Sequence, residues 1–234
     1  MKKIIAILLF ACALITCCSV FAEDAVAGPT TILFREIEWG SSLPEVLSKL
    51  PDEIKFNSLG SDSSYLVEGT MTDDRDAYFD GHVVGYTYAR SSSLKGIKVA
   101  GYELSGLKLR FAWVPGEDGL IVEDDKNTAL FFAEYEIEPK DLDAVYADLT
   151  TKLSSIYGAP DSTKKSGSVI DYKYTIWNGE NGTMLVLVSE AYSSGSKNIY
   201  IRYGTTEGNA WLQNAYDALV LQETIEAASN TDGL

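Results

Sequence analysis

ALFFAEYEI (129–137) is followed, after Glu138-Pro139-Lys140, by DLDAVYADLTTKLSSIYGAP (141–160), and the spacing of apolar residues changes between the two. In the first stretch Ala129, Phe131, Ala133, Tyr135 and Ile137 recur every second residue, the repeat of a strand with one apolar face. In the second, Leu142, Val145, Tyr146, Leu149, Leu153, Ile156 and Tyr157 fall on one side of a 3.6-residue helix. Asp141 and Asp143 stand in its first turn and Lys152 nearer its end, as the helix dipole prefers. Gly158 is placed for a left-handed cap, and Pro160 forbids continuation. A long strand followed by a well-capped helix fixes the point from which the rest of the chain can be read in both directions.

Upstream, Val84, Tyr86 and Tyr88 alternate with Val83, Gly85 and Thr87, and Leu107, Leu109 and Phe111 alternate with Lys108, Arg110 and Ala112. Turn residues separate these strands at Asp80-Gly81, Lys95-Gly96 and Gly116-Glu117-Asp118-Gly119. Further back, Ser42 and Glu45 form a capping box with Pro44 in the first turn, which predicts a short helix from Leu43 to about Leu50 that Pro51 stops. Downstream, strands are expected over 169–177, 183–189 and 198–203, the first two joined by a turn with two Asn-Gly dipeptides. A final helix over 209–225 carries Leu212, Ala215, Tyr216 and Leu219 on one face. The expected fold is α+β: two successive helix-plus-antiparallel-meander units with a C-terminal helix. The units are placed at 32–138 and 139–226, after a leader (23–31) and before a fraying tail (227–234).

The two halves share little beyond an aromatic-glycine pair near each helix, Trp39-Gly40 and Tyr157-Gly158. The opening Phe34-x-x-Ile37-x-Trp39-Gly40-Ser41-Ser42, with Glu45-Val46, resembles that of exported bacterial proteins of unassigned function. The helix-then-meander order is similar to the tandem units of beta-lactamase-inhibitor proteins and of the small outer-membrane assembly lipoproteins. Those families act by binding proteins, and the resemblance implies the same here. It carries over no binding residue.

The first 22 residues have the layout of a secretory signal: Lys2 and Lys3, an apolar run, then Val20-Phe21-Ala22 before Glu23. Cleavage is expected after Ala22. The predominantly apolar stretch of 18 residues from Ile4 to Phe21 also stands at the lower limit of a membrane span, about 17 to 25 residues, and Leu14-Ile15-Thr16-Cys17 has the shape of a lipidation site at Cys17. All three cysteines, Cys12, Cys17 and Cys18, lie in this segment, so the mature chain has neither disulfides nor thiolate chemistry. The full chain of 234 residues has a net charge of -15. Loss of two lysines leaves 17 basic against 34 acidic side chains, or -17. Such a balance argues against nucleic acid as a partner. With 46% apolar residues, the expected product is an acidic, cysteine-free globular protein of the bacterial cell envelope or exterior.

Chemistry is sparse. One histidine, His82, and no mature cysteine remove Cys-His catalysis and a His-rich zinc site. The glycine pairs four apart enclose Val83 and Thr206 rather than serine, and Gly101 with Gly106 is followed by Leu107-Lys108 rather than Lys then Ser or Thr, so no nucleophile elbow or phosphate loop is present. No catalytic, cofactor or metal residue is assigned. Two acidic runs, Asp73-Asp74-Arg75-Asp76 with Asp80 and Glu117-Asp118 with Glu123-Asp124-Asp125 and Asn127, fail the spacing of a calcium loop. A carboxylate-dependent hydrolase acting on polysaccharide or peptidoglycan stays open as the alternative.

Aromatic side chains offer a binding surface for another protein or a cell-wall polymer. Tyr86 with Tyr88, and Tyr172 with Tyr174, share parity with Val84, Ile170 and Ile176 and are expected in the core. Trp177 and Tyr200 fall on the opposite parity, beside Lys173 and Arg202, and are the candidate partner surface. Leu185 and Leu187 are apolar on that face too, which favours its being covered by the C-terminal helix or the first unit.

Overall fold

A computed structural model describes residues 31–52, 54, 58–61, 84–90, 94, 96–167 and 170–229. The expected signal segment with Cys12, Cys17 and Cys18, the run from Asp73 to Asp80, His82, the side chains of Tyr86 and Tyr88, and the last five residues lie outside the described set. Among the described residues the helices are α1 (Leu43–Lys49), α2 (Leu142–Tyr157) and α3 (Glu207–Ser229). The strands are β1 (Ser58–Ser61), β2 (Gly85–Arg90), β3 (Lys98–Val99), β4 (Tyr102–Glu103), β5 (Gly106–Trp113), β6 (Thr128–Ile137), β7 (Ser162–Gly167), β8 (Ile170–Asn178), β9 (Thr183–Tyr192) and β10 (Lys197–Thr205). Eight of them form one antiparallel sheet in the order β1-β2-β5-β6-β10-β9-β8-β7, while β3 and β4 pair as a separate hairpin. The fold is mixed α+β.

The helices begin and end where local chemistry dictates. At α1 the Ser42 backbone N–H and hydroxyl both donate to Glu45 (2.8 and 2.9 Å), and these bonds hold the exposed Glu45 carboxyl below its usual range. At α2 the Asp141 carboxylate accepts from the Ala144 N–H at 3.1 Å. Gly158 ends that helix at φ 83°, with nothing near its missing side chain, so glycine is required there by the backbone angle and not by space. Tyr146, Leu149 and Leu153 are the buried stripe, whereas Ile156 is 55% exposed and does not join it.

The Trp39-Gly40 opening is explained by the sheet. Gly40 N–H donates to the Leu130 carbonyl and Leu130 N–H to the Ser41 carbonyl, both at 2.9 Å, so this segment continues the pairing of β6 beyond the end of β10. Gly40 sits at φ 84°, and the Trp39 indole N–H ties the segment to the Ile32 carbonyl at 2.9 Å. Phe34 and Ile37, both fully buried, flank a tight turn whose central residues Arg35 and Glu36 adopt φ 52° and 60°. The Arg35 guanidinium donates to the Tyr135 hydroxyl at 3.1 Å.

Several strands differ from the sequence expectation. β7, Ser-Thr-Lys-Lys-Ser-Gly, stands at the sheet edge and has no apolar alternation, β8 is shifted by one residue, and β9 and β10 run further than the expected 183–189 and 198–203. The β3–β4 hairpin turns at Ala100 and Gly101, both at positive φ, and docks on α2. Its Tyr102 hydroxyl donates to Asp148 (2.7 Å), Lys152 pairs with the same carboxylate (2.6 Å), and Lys152 also reaches the Ala100 carbonyl (2.9 Å). α2 lies against β9 and β10, α1 against β6, and α3 against β5 and β6. No described helix is long and apolar enough to cross a membrane.

Candidate functional site: a tyrosine-bearing sheet face

Paired residues in an antiparallel sheet project to the same side. The side that receives α2 carries Thr175, Trp177, Leu185, Leu187, Ile199, Ile201 and Tyr203, and the Tyr146 hydroxyl of α2 bonds Thr175 there at 2.7 Å. The opposite side carries Tyr172, Tyr174 and Ile176 of β8, Val186, Val188 and Glu190 of β9, Tyr200 and Arg202 of β10, Glu134 and Glu136 of β6, and Lys108 of β5.

This placement separates the two candidate residues. Trp177 is 1% exposed on the α2 side, and its indole N–H donates to the Gly158 carbonyl at 3.0 Å, which pins the end of α2 to the sheet. It is a packing residue, tied to the end of α2 and not an exposed partner surface. Tyr200 lies on the other side, opposite Val188 and Glu136, half-buried. Tyr172 and Tyr174, expected in the core, share the Tyr200 side and are also half-buried, their rings stacked at 6.0 Å and 16°. Alternation within one strand was read correctly; register between strands, which the turns set, decides which alternating set meets a helix.

Beneath the tyrosines runs an ionic row. Arg202 and Glu134, directly opposite across the β6–β10 pairing, are 2% and 4% exposed and meet at 2.6 Å; Lys108 of β5 reaches the same carboxylate at 3.7 Å. The Arg202 guanidinium also lies 4.9 Å from the centre of the Tyr200 ring. Glu136 bends over β5, where a side chain in place of Gly106 would collide with its carboxylate. Burial raises the Glu136 carboxyl above the usual range, and the neighbouring Glu134, Glu138 and Glu190 push the same way. Glu190, nearly buried, accepts from the Tyr192 hydroxyl at 2.6 Å.

Tyr200 is the chemical centre of this face. Burial raises its hydroxyl well above the usual range, and Glu190, Glu136 and Glu134 add to the shift, so the phenol stays neutral. Its oxygen accepts from the Asn198 amide at 3.1 Å, and its own proton is not used in that bond. The face therefore offers flat aromatic surface, a neutral phenol hydroxyl and a rim of carboxylate. Among the described residues no three acids, histidines or cysteines are grouped to hold a metal ion. Neither the protein-family models, nor the curated proteins, nor the solved structures compared with this chain give a match.

Proposed function

We propose that the chain is an exported, non-enzymatic binding protein of the bacterial cell envelope or exterior that holds another protein or a cell-wall polymer on the Tyr172, Tyr174 and Tyr200 face. The observation that carries this reading is the half-buried, stacked tyrosine pair on the same side of the sheet as Tyr200, the side away from α2. Tyrosine presents large area with little rotamer entropy and a polar tip, which suits it to contact surfaces. The underlying Arg202–Glu134 pair gives the platform a fixed register.

The finer architecture belongs to the same proposal. α1 with β1, β2, β5 and β6, and α2 with β7 to β10, are two helix-plus-meander units whose last strands, β6 and β10, lie side by side. The strand order and the antiparallel β6–β10 pairing support this reading, and it makes the Arg202–Glu134 bridge the joint between units.

The test is retention of the purified protein on two matrices, isolated peptidoglycan and immobilised envelope protein. Tyr174→Ala with Tyr200→Ala is expected to abolish retention on one of them while the melting temperature falls by only a few degrees. Undiminished retention, or a collapse in melting temperature, would overturn the surface assignment.

A second reading is favoured by one observation, the raised carboxyl of Glu136 near Glu134 and Glu190. It makes the face the acid/base site of a hydrolase. Release of reducing ends from peptidoglycan or polysaccharide that Glu136→Gln abolishes would establish it in place of binding.

A further inference from the structure

On the α2 side of the sheet, at the end away from Trp177, a cavity of about 410 Å³ opens between the first turn of α2 and strands β7 to β10. Its floor follows from register. Lys165 of β7 stands opposite Lys173 of β8, which stands opposite Ser189 of β9; in the next row Asp171, Ala191 and Lys197 are neighbours. Ser189 and Ala191 are small, and the cavity is the space they leave. Three lysines therefore converge on one hollow of a protein whose net charge is -15.

Three aspartates, Asp141, Asp143 and Asp171, line the same hollow, but the lysines are set against one another by the register. Like charges directly opposite across a strand pair repel, and Lys165 and Lys173 are such a pair. Four cations elsewhere in the described fold do have side-chain partners: Lys108 and Arg202 share Glu134, Lys152 has Asp148, and Arg35 has the Tyr135 hydroxyl. Among the described residues Lys165, Lys173 and Lys197 have no carboxylate within ion-pair distance, and Lys173 rests instead with its ammonium 4.3 Å from the centre of the Tyr146 ring. Of the cavity's acids, Asp141 is committed to capping Ala144, whereas Asp143 and Asp171 face it as hydrogen-bond acceptors. An adjoining hollow of about 440 Å³ shares Lys197 and extends the space past Lys140 and Ser196.

We infer that this cavity is a binding site for a phosphomonoester on a polyhydroxylated carrier, a sugar phosphate in chemical class. Three ammonium groups match a dianionic phosphate, which relieves the Lys165–Lys173 repulsion. Asp143 and Asp171 accept from carrier hydroxyls and disfavour a ligand that is anionic throughout. The site is independent of the tyrosine face, which lies across the sheet.

Isothermal titration of the purified protein with glucose 6-phosphate tests it. One-to-one binding is expected, weakened about tenfold by Lys165→Gln and by Lys197→Gln, each a lost charge-assisted hydrogen bond. Without ligand, Lys165→Gln melts no lower than the parent, because it removes repulsion and no attractive contact. Absence of binding at millimolar ligand, affinity unchanged in both variants, or equal affinity for inorganic phosphate or for glucose would overturn the inference.

Discussion

The two sides of strands β8 to β10 both carry aromatic residues, two toward α2 and four away from it, with opposite fates. Toward α2, Trp177, Leu187, Ile199 and Ile201 are at most 1% exposed and join the hydrophobic core. Away from it, Tyr172, Tyr174 and Tyr200 keep part of their surface, and Tyr200 lies against the Arg202 guanidinium of the ionic row. The difference teaches that aromatic content marks neither core nor site by itself. What separates them is the partner: toward α2 the apolar positions pack under the helix, whereas on the other side a buried Arg202–Glu134 pair and Val186 and Val188 lie among tyrosines that keep part of their surface.

The largest effect that sharpens this contrast is expected at Trp177. Trp177→Ala removes a fully buried ring and the anchor of the α2 terminus, and should cost about 4 kcal/mol, which at this chain length lowers the melting temperature by about 10 °C. A change of a degree or two would show that the α2 side is not a sealed core. Next comes the ionic row. Arg202→Met leaves Glu134 buried with only Lys108 near it, a loss of about 3 kcal/mol, whereas Arg202→Met with Glu134→Leu recovers most of it; chemical denaturation of the three variants measures both.

A smaller, pH-dependent effect belongs to Glu136. Its carboxyl is raised in the folded state, so the fold binds that proton more tightly than the unfolded chain does. The contribution to stability is greatest at low pH and is lost as pH rises through the folded value. Glu136→Gln should therefore melt higher than the parent near pH 7 and no higher near pH 4. The reverse pattern would place the carboxylate in a favourable ionic contact. Glu45 gives the opposite sign: lowered by its capping bonds, it stabilises α1 at neutral pH and ceases to do so as pH falls through its folded value.

Much of the fold was legible because local signals agreed. α2 shows its period, cap and terminator in sequence, and β5 and β6 show alternation bounded by the turn at Gly116 to Gly119. β7 was not legible, since an edge strand with Lys164 and Lys165 has no apolar face to betray it, and lysine at an edge is what keeps it from pairing with other chains. The site was half legible. Tyr200 was singled out by parity, but Tyr172 and Tyr174 were assigned to the core, because Ile176 and Ile170 beside them look like core residues whichever side they face. The lysine hollow left no sequence signal at all: Lys165, Lys173 and Lys197 are brought together only by the register of four strands.

The account stands or falls on the tyrosine face being the surface that meets a partner. Hydroxyl-radical footprinting of the purified protein, alone and with the envelope matrix that retains it, measures this directly. The predicted result is labelling of Tyr172, Tyr174 and Tyr200 in the free protein and their protection when bound, with Tyr146 and Trp177 unlabelled in both. Protection confined instead to the exposed apolar residues of α3, Leu221 and Ile225, would contradict it.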